Sequence, residues 1–479
     1  MKYLLFLLFI GTSIAAGSVE PTQIDQQIIQ QTFNERFDQA KKLCQEQINI
    51  NPSSPKYYYY MINTKILEYY QKVAELDSDK KDSGRKVLNK EIIDYCENAI
   101  DKIEESKLNS ENKFYYGTMH AYLARVYGVD AAWWGAFKSG KKAKAIMEEI
   151  VKADPQFYDA YLVLGMLEYY ADRMSGITGF IAGVLGFSGD REEGLAHLQL
   201  AYEKGKLTFG QTALTLIEVY TSLEGNDYAA LPYFENFLAR FSGNRRTLNA
   251  YCQTLMNTWN LDKVEKIIKS DKENLVDDYV KARYYDLTGN SELAIQFGER
   301  GIQNEKSLSR GGGSACRFYI VFNSWIIGNN DGIRKYESEL SPRYKDVYLS
   351  ARKYEKESRW LHNLTVLIAK NKTGREIDAF LKTKPAFGQT NDLEDQFNLL
   401  LGAFYFKNNL FDKAEQLFNQ SISAPADRDK YTAAKYLIEI YMRKTADAAK
   451  VKKLLAVIDD LDNNRLTYRS KDLEKKYNI

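Results

Sequence analysis

The segment KAKAIMEEIVKADPQFYDAYLVLGMLEYY, residues 142 to 170, decides how the rest of the chain is read. Ala143 is a small residue inside an apolar helical period, Pro155 follows twelve positions on, and Gly165 follows twenty-two on. These offsets belong to the tetratricopeptide unit, a hairpin of about 34 residues in which small side chains let two helices approach closely and proline follows the second helix. Ala143 is then the small residue of a second helix, Pro155 marks its end, and Gly165 takes the close-approach position of the next first helix.

The same register recurs along the chain. A twelve-residue step joins Ala40 to Pro52 in FDQAKKLCQEQININP, and another joins Gly402 to Ala414 in LLLGAFYFKNNLFDKAEQLF, where Leu401, Tyr405 and Phe418 take the large apolar positions. Ala230, Phe234 and Phe237 share one helical face, and NSELAIQFGERG repeats the pattern with Ala294, Gly298 and Gly301. From Ala230 to Val264 is 34 residues and from Val264 to Ala294 is 30, so the phase drifts without being lost. With only 8 prolines in 479 residues, the expected fold is all-α, a right-handed α-solenoid of roughly ten to thirteen hairpins. Such an array lengthens without starting a new core. Polar interruptions fall at 76–86, 304–314 and 423–430, and the triple glycine Gly311 to Gly313 makes 304–314 the expected linker between arrays at 22–303 and 315–479.

One stretch breaks the register. Gly165 calls for a partner near position 177, yet the next suitable residue is Gly194, seventeen positions late. Residues 172–189 therefore form an apolar, glycine-rich insertion within one hairpin. Gly176, Gly179, Gly183 and Gly186 are spaced three, four and three, which lines one helical face. Asp190 and Glu193 have the spacing of a capping box, so the next helix starts there, with Leu195, Leu198 and Ala201 inward. Phe180, Ile181, Val184, Leu185 and Phe187 are the candidate contact residues of the insertion. Three uses are open to them: packing back over the solenoid, contact with a membrane interface or hydrophobic ligand, and contact with a partner protein. The run is too short to span a bilayer, which takes about 20 apolar residues.

The amino terminus, MKYLLFLLFIGTSIAAG, has a positive head at Lys2, an apolar core from Tyr3 to Ile10, and small residues at Ser13, Ala15, Ala16 and Gly17. Residues 1–17 are expected to be a secretory signal peptide, which makes the protein exported and periplasmic or envelope-associated. The first cysteine is Cys44, so no lipid attachment follows the small residues. Lys and Arg number 66 against 64 Asp and Glu, a balance with no electrostatic footprint for nucleic acid. Cys44, Cys96, Cys252 and Cys316 have no zinc-ribbon spacing; one or two bridges are open to them in an oxidising compartment, with no pairing preferred. His120, His197 and His362 stand alone in the sequence, which points to packing or surface roles, and no metal or cofactor is expected.

Catalytic signatures are sparse. There is no serine elbow, zinc-binding histidine pair, Rossmann glycine pattern or phosphate loop, and Gly311 to Gly313 lacks the following Gly-Lys-Ser/Thr. Glu148-Glu149 and Glu192-Glu193 read as a solvated face or a cap. Cys316, beside Arg317, is the single candidate nucleophile. No catalytic residue is expected.

The stretches WWGAFKSGKKA and LGFSGDREEGL, on either side of the hairpin and its insertion, carry a family likeness. Through Trp133, Trp134, Gly135 and Leu185 to Leu195, residues 115 to 300 resemble the tetratricopeptide-like proteins associated in eukaryotes with inclusion-body clearance and mitochondria, and their bacterial relatives. The resemblance implies the fold and carries over no active-site residues. Counting from the glycines gives a candidate groove face of Asp159, Leu162, Met166 and Tyr169 in one hairpin and Gln396, Leu399, Ala403 and Phe406 in another. The 35 tyrosines include the runs Tyr57 to Tyr60, Tyr115-Tyr116, Tyr169-Tyr170 and Tyr284-Tyr285, where one residue can pack between helices while its neighbour faces a groove. The expected function is an exported, non-catalytic scaffold that holds a protein or peptide partner in a concave groove. The alternative is a hydrophobic-ligand or envelope-membrane protein that uses residues 176–187.

Overall fold

The computed structural model describes residues 19–75, 81–172, 189–305, 308, 311–370, 374–387, 391–444, 447–461 and 473–474. Among them all regular structure is helical, in 23 α-helices and short helical turns. None of these helices is long and apolar enough to cross a membrane. Contact density separates two compact units, Met1–Glu218 with Pro232–Arg245, and Val219–Leu231 with Arg246–Ile479. Backbone irregularities lie at two of the borders. A π-helical turn covers Val219–Leu223, and Pro232 sits inside a helix, where it removes a backbone donor.

The first unit holds α1 (Gln23–Phe33), α2 (Phe37–Ile50), α3 (Pro55–Glu75), α4 (Lys81–Ile100), α5 (Ser110–Val129), α6 (Trp133–Ala153), α7 (Ala160–Asp172), α8 (Arg191–Lys204), α9 (Phe209–Glu218) and the larger part of α10 (Asp227–Arg240). The second holds α11 (Arg245–Asn257), α12 (Leu261–Ser270), α13 (Asp278–Leu287), α14 (Ser291–Gln303), α15 (Gly312–Ile327), α16 (Asn330–Tyr336), α17 (Pro342–Lys353), α18 (Glu355–Ala369), α19 (Gly374–Leu381), α20 (Asn391–Lys407), α21 (Phe411–Ser421), α22 (Asp427–Lys444) and α23 (Ala448–Asp459). Side chains start several of these helices. Thr22 and Asp25 form a capping box on α1, Asn109 accepts from Asn112 N at 2.9 Å on α5, and Pro342 opens α17.

Helices pack on their neighbours in sequence, as in α5 with α6, α7 with α8, α14 with α15 and α20 with α21. First helices also meet across hairpins, as α3 does with α5 and α13 with α15. The small positions of the register sit at these crossings. Ala40, Ala143, Ala230, Val264, Ala294 and Ala414 are all fully buried. Gly117 lies on Ile146 and Met147, Gly298 on Ile320, and Gly402 on Phe418. Any larger side chain there would drive the two helices apart.

The turns repeat as well. Between α1 and α2, α5 and α6, α11 and α12, α13 and α14, and α20 and α21 the connection is three residues long. Its middle residue, respectively Glu35, Ala131, Trp259, Gly289 and Asn409, has a left-handed φ of 57° to 73°. The α7–α8 hairpin departs from this rule at its turn alone. Gly165 and Gly194 face each other as the register requires, since a Cβ on Gly165 would lie 2.7 Å from Gly194 O. Gly189 lies against the backbone of Ala171 and Asp172, so the chain leaves and re-enters this hairpin at one point. Asp190 caps α8 by accepting from Glu192 N at 2.9 Å and Glu193 N at 3.0 Å. Residues 173–188, including Phe180, Ile181, Val184, Leu185 and Phe187, lie outside the described residues.

Each unit also makes contacts that an open array would not. In the first, Phe33 of α1 packs on Gly210 of α9 and on Phe237 and Phe241, its carbonyl accepts from Asn244 Nδ2 at 2.7 Å, and Asn34 Oδ1 accepts from Gly243 N at 2.8 Å. In the second, Lys435 of α22 donates to Gly225 O at 2.7 Å, Lys407 of α20 to Trp259 O at 3.2 Å, and Val366 of α18 packs on Gly289. Gly312 and Gly313 of the expected linker are buried in the first turn of α15, inside the second unit. All four cysteines are free and buried, on α2, α4, α11 and α15, so the bridges left open by the sequence are not formed.

Candidate functional site

The contact between α18 and the α13–α14 turn leaves a cleft in the second unit. Its volume is about 620 Å³, and it is lined by Leu261, Asp262 and Glu265 of α12, Tyr284 and Tyr285 of α13, the turn Thr288–Gly289–Asn290, Glu292 of α14, and Ala369 and Lys370 at the end of α18. Gly289 fits this turn for two reasons. Its φ is +73°, and a Cβ would lie 2.8 Å from Val366 Cγ1. Asn290 caps α14 through Leu293 N at 3.2 Å, and Thr288 Oγ1 donates to Tyr284 O at 2.9 Å, so the lip is held by local hydrogen bonds.

The tyrosine pair divides its work. Tyr284 is buried, while Tyr285 is partly exposed and stacks on Phe297 with centroids 5.3 Å apart. The lining carries three carboxylates, Asp262, Glu265 and Glu292, against one lysine, Lys370. Lys269, one turn along α12, pairs with Glu265 at 2.6 Å on the rim. Burial, followed by Glu265, Tyr285 and Asp262, pushes the Tyr284 phenol up to about 12. The two tyrosine rings stand edge-on at 74°, and an aromatic lining with carboxylates around it suits a cationic side chain on an extended chain.

The groove faces counted from the glycines are not part of this lining, and they lie one in each unit. Asp159, Leu162 and Tyr169 are buried in the first unit, and only Met166 is partly exposed. Asp159 caps a neighbouring element instead. Its carboxylate accepts from Lys206 N at 3.2 Å, Leu207 N and Thr208 N at 2.9 Å, and Thr208 Oγ1 at 2.8 Å, at the start of α9. In the second unit Gln396 is exposed, and Leu399, Ala403 and Phe406 are half-buried. Phe406 is occupied by Phe411 and Tyr436, at 5.6 and 5.0 Å between centroids.

Cys316 is fully buried against Gly301, and burial first, then Asp278 and Glu305, pushes its thiol up to about 12. Arg317 acts in the lowering direction but is outweighed by these causes, and it is paired with Glu305 and Glu339. The cysteine is therefore a protonated packing residue. His120 packs edge-on to Tyr116 and His362 edge-on to Phe322, whereas His197 meets Glu168 at 2.7 Å. Of the residues that carry the family likeness, Gly135 packs on the Tyr127 ring and Trp134 is 71% exposed.

Against known proteins, no family model matches the chain, and no curated protein matches it. Among solved structures it is similar to yeast Tom70, at 13% identity over 91% of this chain and 92% of that one, with a TM-score of 0.28. It is also similar to the APC/C hetero-tetramer Cut9–Hcn1, at 10% identity over 94% and 95%, with a TM-score of 0.24. The described residues themselves form helices that pack consecutively as hairpins.

Proposed function

We propose that this protein is a non-catalytic binding scaffold whose second unit holds an extended peptide segment bearing a lysine or arginine. The acidic, tyrosine-floored cleft between α12–α14 and the end of α18 carries this reading. A guanidinium or ammonium group entering it meets Asp262, Glu265 and Glu292, and its aliphatic stem lies on Tyr285. The lip offers Thr288 and Asn290 to the peptide backbone.

A peptide array of graded charge tests this. Full-length protein is expected to retain peptides with a basic residue flanked by uncharged ones, and to lose them as salt rises from 0.05 to about 0.5 M, since the Debye length then shrinks to a few ångströms. Equal retention of acidic and basic peptides would contradict it.

The leader MKYLLFLLFIGTSIAAG supports placing the scaffold outside the cytoplasm, in the periplasm or envelope. Amino-terminal sequencing of the protein from cells is expected to begin between residues 16 and 18. Recovery of intact Met1 from an exported fraction would contradict cleavage. The likeness of Trp133, Trp134, Gly135 and 185–195 to the inclusion-body-clearance family supports kinship with that group, and it adds no partner.

A further inference from the structure

Glu168 on α7 and Glu193 and His197 on α8 converge beside the Gly165–Gly194 crossing. One ligand atom from each lies within 4.8 Å of those of the other two. The backbone dictates this meeting. A Cβ on Gly194 would stand 2.6 Å from Tyr169 N, and one on Gly165 2.8 Å from Leu198 N, so the helices touch main chain to main chain. Glu168 sits about one turn beyond Gly165, Glu193 directly before Gly194, and His197 about one turn after it. Glu193 and His197, four apart, share a face of α8.

The imidazole is already oriented. His197 Nδ1 lies 2.7 Å from Glu168 Oε2, and the Tyr161 ring packs on it with centroids 5.0 Å apart. The side chains of Glu168 and His197 are 12% and 22% exposed, while Glu193 stands at the solvent edge. Two withdrawn donors and one at the mouth leave an approach from water.

We propose that Glu168, Glu193 and His197 form a binding site for a divalent transition-metal cation of the zinc class, which would fasten α7 to α8. One imidazole nitrogen and two carboxylate oxygens form a mixed donor set that Zn²⁺ accepts, with water completing the tetrahedron. The nitrogen donor disfavours calcium and magnesium, which take oxygen ligands. Small rotations of the two glutamates open the present His197–Glu168 contact to the spacing of two ligands on one ion. The site joins the two helices that flank residues 173–188 in the sequence.

Cobalt titration of the chelator-treated full chain tests this, read by visible ligand-field absorption and by competition with ZnCl₂. The expected result is one equivalent bound, with affinity reduced at least about tenfold in His197→Ala and in Glu168→Gln. Zinc is expected to raise the thermal midpoint of the wild type and not of these variants. Glu193→Gln, at an exposed position, gives the same reading where the fold is least disturbed, and far-UV circular dichroism checks all three. Absence of binding by the wild type, or equal binding by folded variants, would overturn the site and show the contact to be a simple ion pair.

Discussion

At the scale of single residues, the buried polar groups have structural duties. Asp159 holds the start of α9 with four donors from Lys206 to Thr208. Asp159→Ala leaves buried amides of Leu207 and Thr208 without an acceptor, and should cost about 2–4 kcal/mol in urea unfolding, against about half that for Asp159→Asn. His120 is the clearest pH-sensitive group. Its ring nitrogens are buried with no hydrogen-bond partner among the described residues, and burial, then Lys142, lowers its pKa from 6.5 to about 4 despite Glu105, with Lys138 acting in the same direction as Lys142. The unfolded chain takes up that proton first. The histidine's contribution is therefore complete above pH 6.5 and is lost as pH falls toward 4, by roughly 1–3 kcal/mol. His120→Phe should flatten that part of the pH profile, measured as urea midpoints at several pH values; an unchanged slope would remove His120 as its source. Neither role was legible in the sequence. Asp159 fell on a face counted as groove because the register fixes positions along a hairpin and is blind to the helix that covers them. His197 looked solitary because its partner Glu168 lies 29 residues away, across the insertion.

At the scale of the element, the hairpin is where sequence and structure agree most closely. Small residues at fixed offsets identified the crossings because close helix approach is a local demand, satisfied by a few residue types. Gly165→Val places a branched side chain 2.7 Å from Gly194 O and should cost about 2–4 kcal/mol even after its helix propensity is credited. Gly128, with open space around its Cβ position, is the control, and Gly128→Ala should gain up to about 1 kcal/mol. Thermal or urea unfolding of both reads the contrast, and equal effects would contradict the crossing. The turns were less legible. Only Gly289 announces a left-handed residue, while Glu35, Ala131, Trp259 and Asn409 adopt the same φ without glycine. Ala131→Gly relieves that strain at an exposed corner and should stabilise by about 0.5–1 kcal/mol.

At the scale of the whole molecule, the repeat register cannot say which distant hairpins meet. Phe33 reaches Gly210, Phe237 and Phe241, and Lys407 reaches Trp259, through separations that no 34-residue period encodes. These contacts convert strings of neighbours into two compact units. Phe33→Ala should therefore raise amide exchange in both α1 and residues 209–245, whereas an open array would confine the change to α1, α2 and α3. The same kind of meeting, between α18 and the α13–α14 turn, makes the cleft. Its tyrosine pair was visible in the sequence as an aromatic run, but its carboxylates come from α12 and α14 and converge only on folding. The most direct test of the binding reading is the double charge reversal Asp262→Lys with Glu265→Lys, at an exposed and a part-exposed position on α12, screened on the graded peptide array beside the wild type. Loss of basic peptides and gain of acidic ones is the predicted result; an unchanged binding profile from a folded double variant would contradict it.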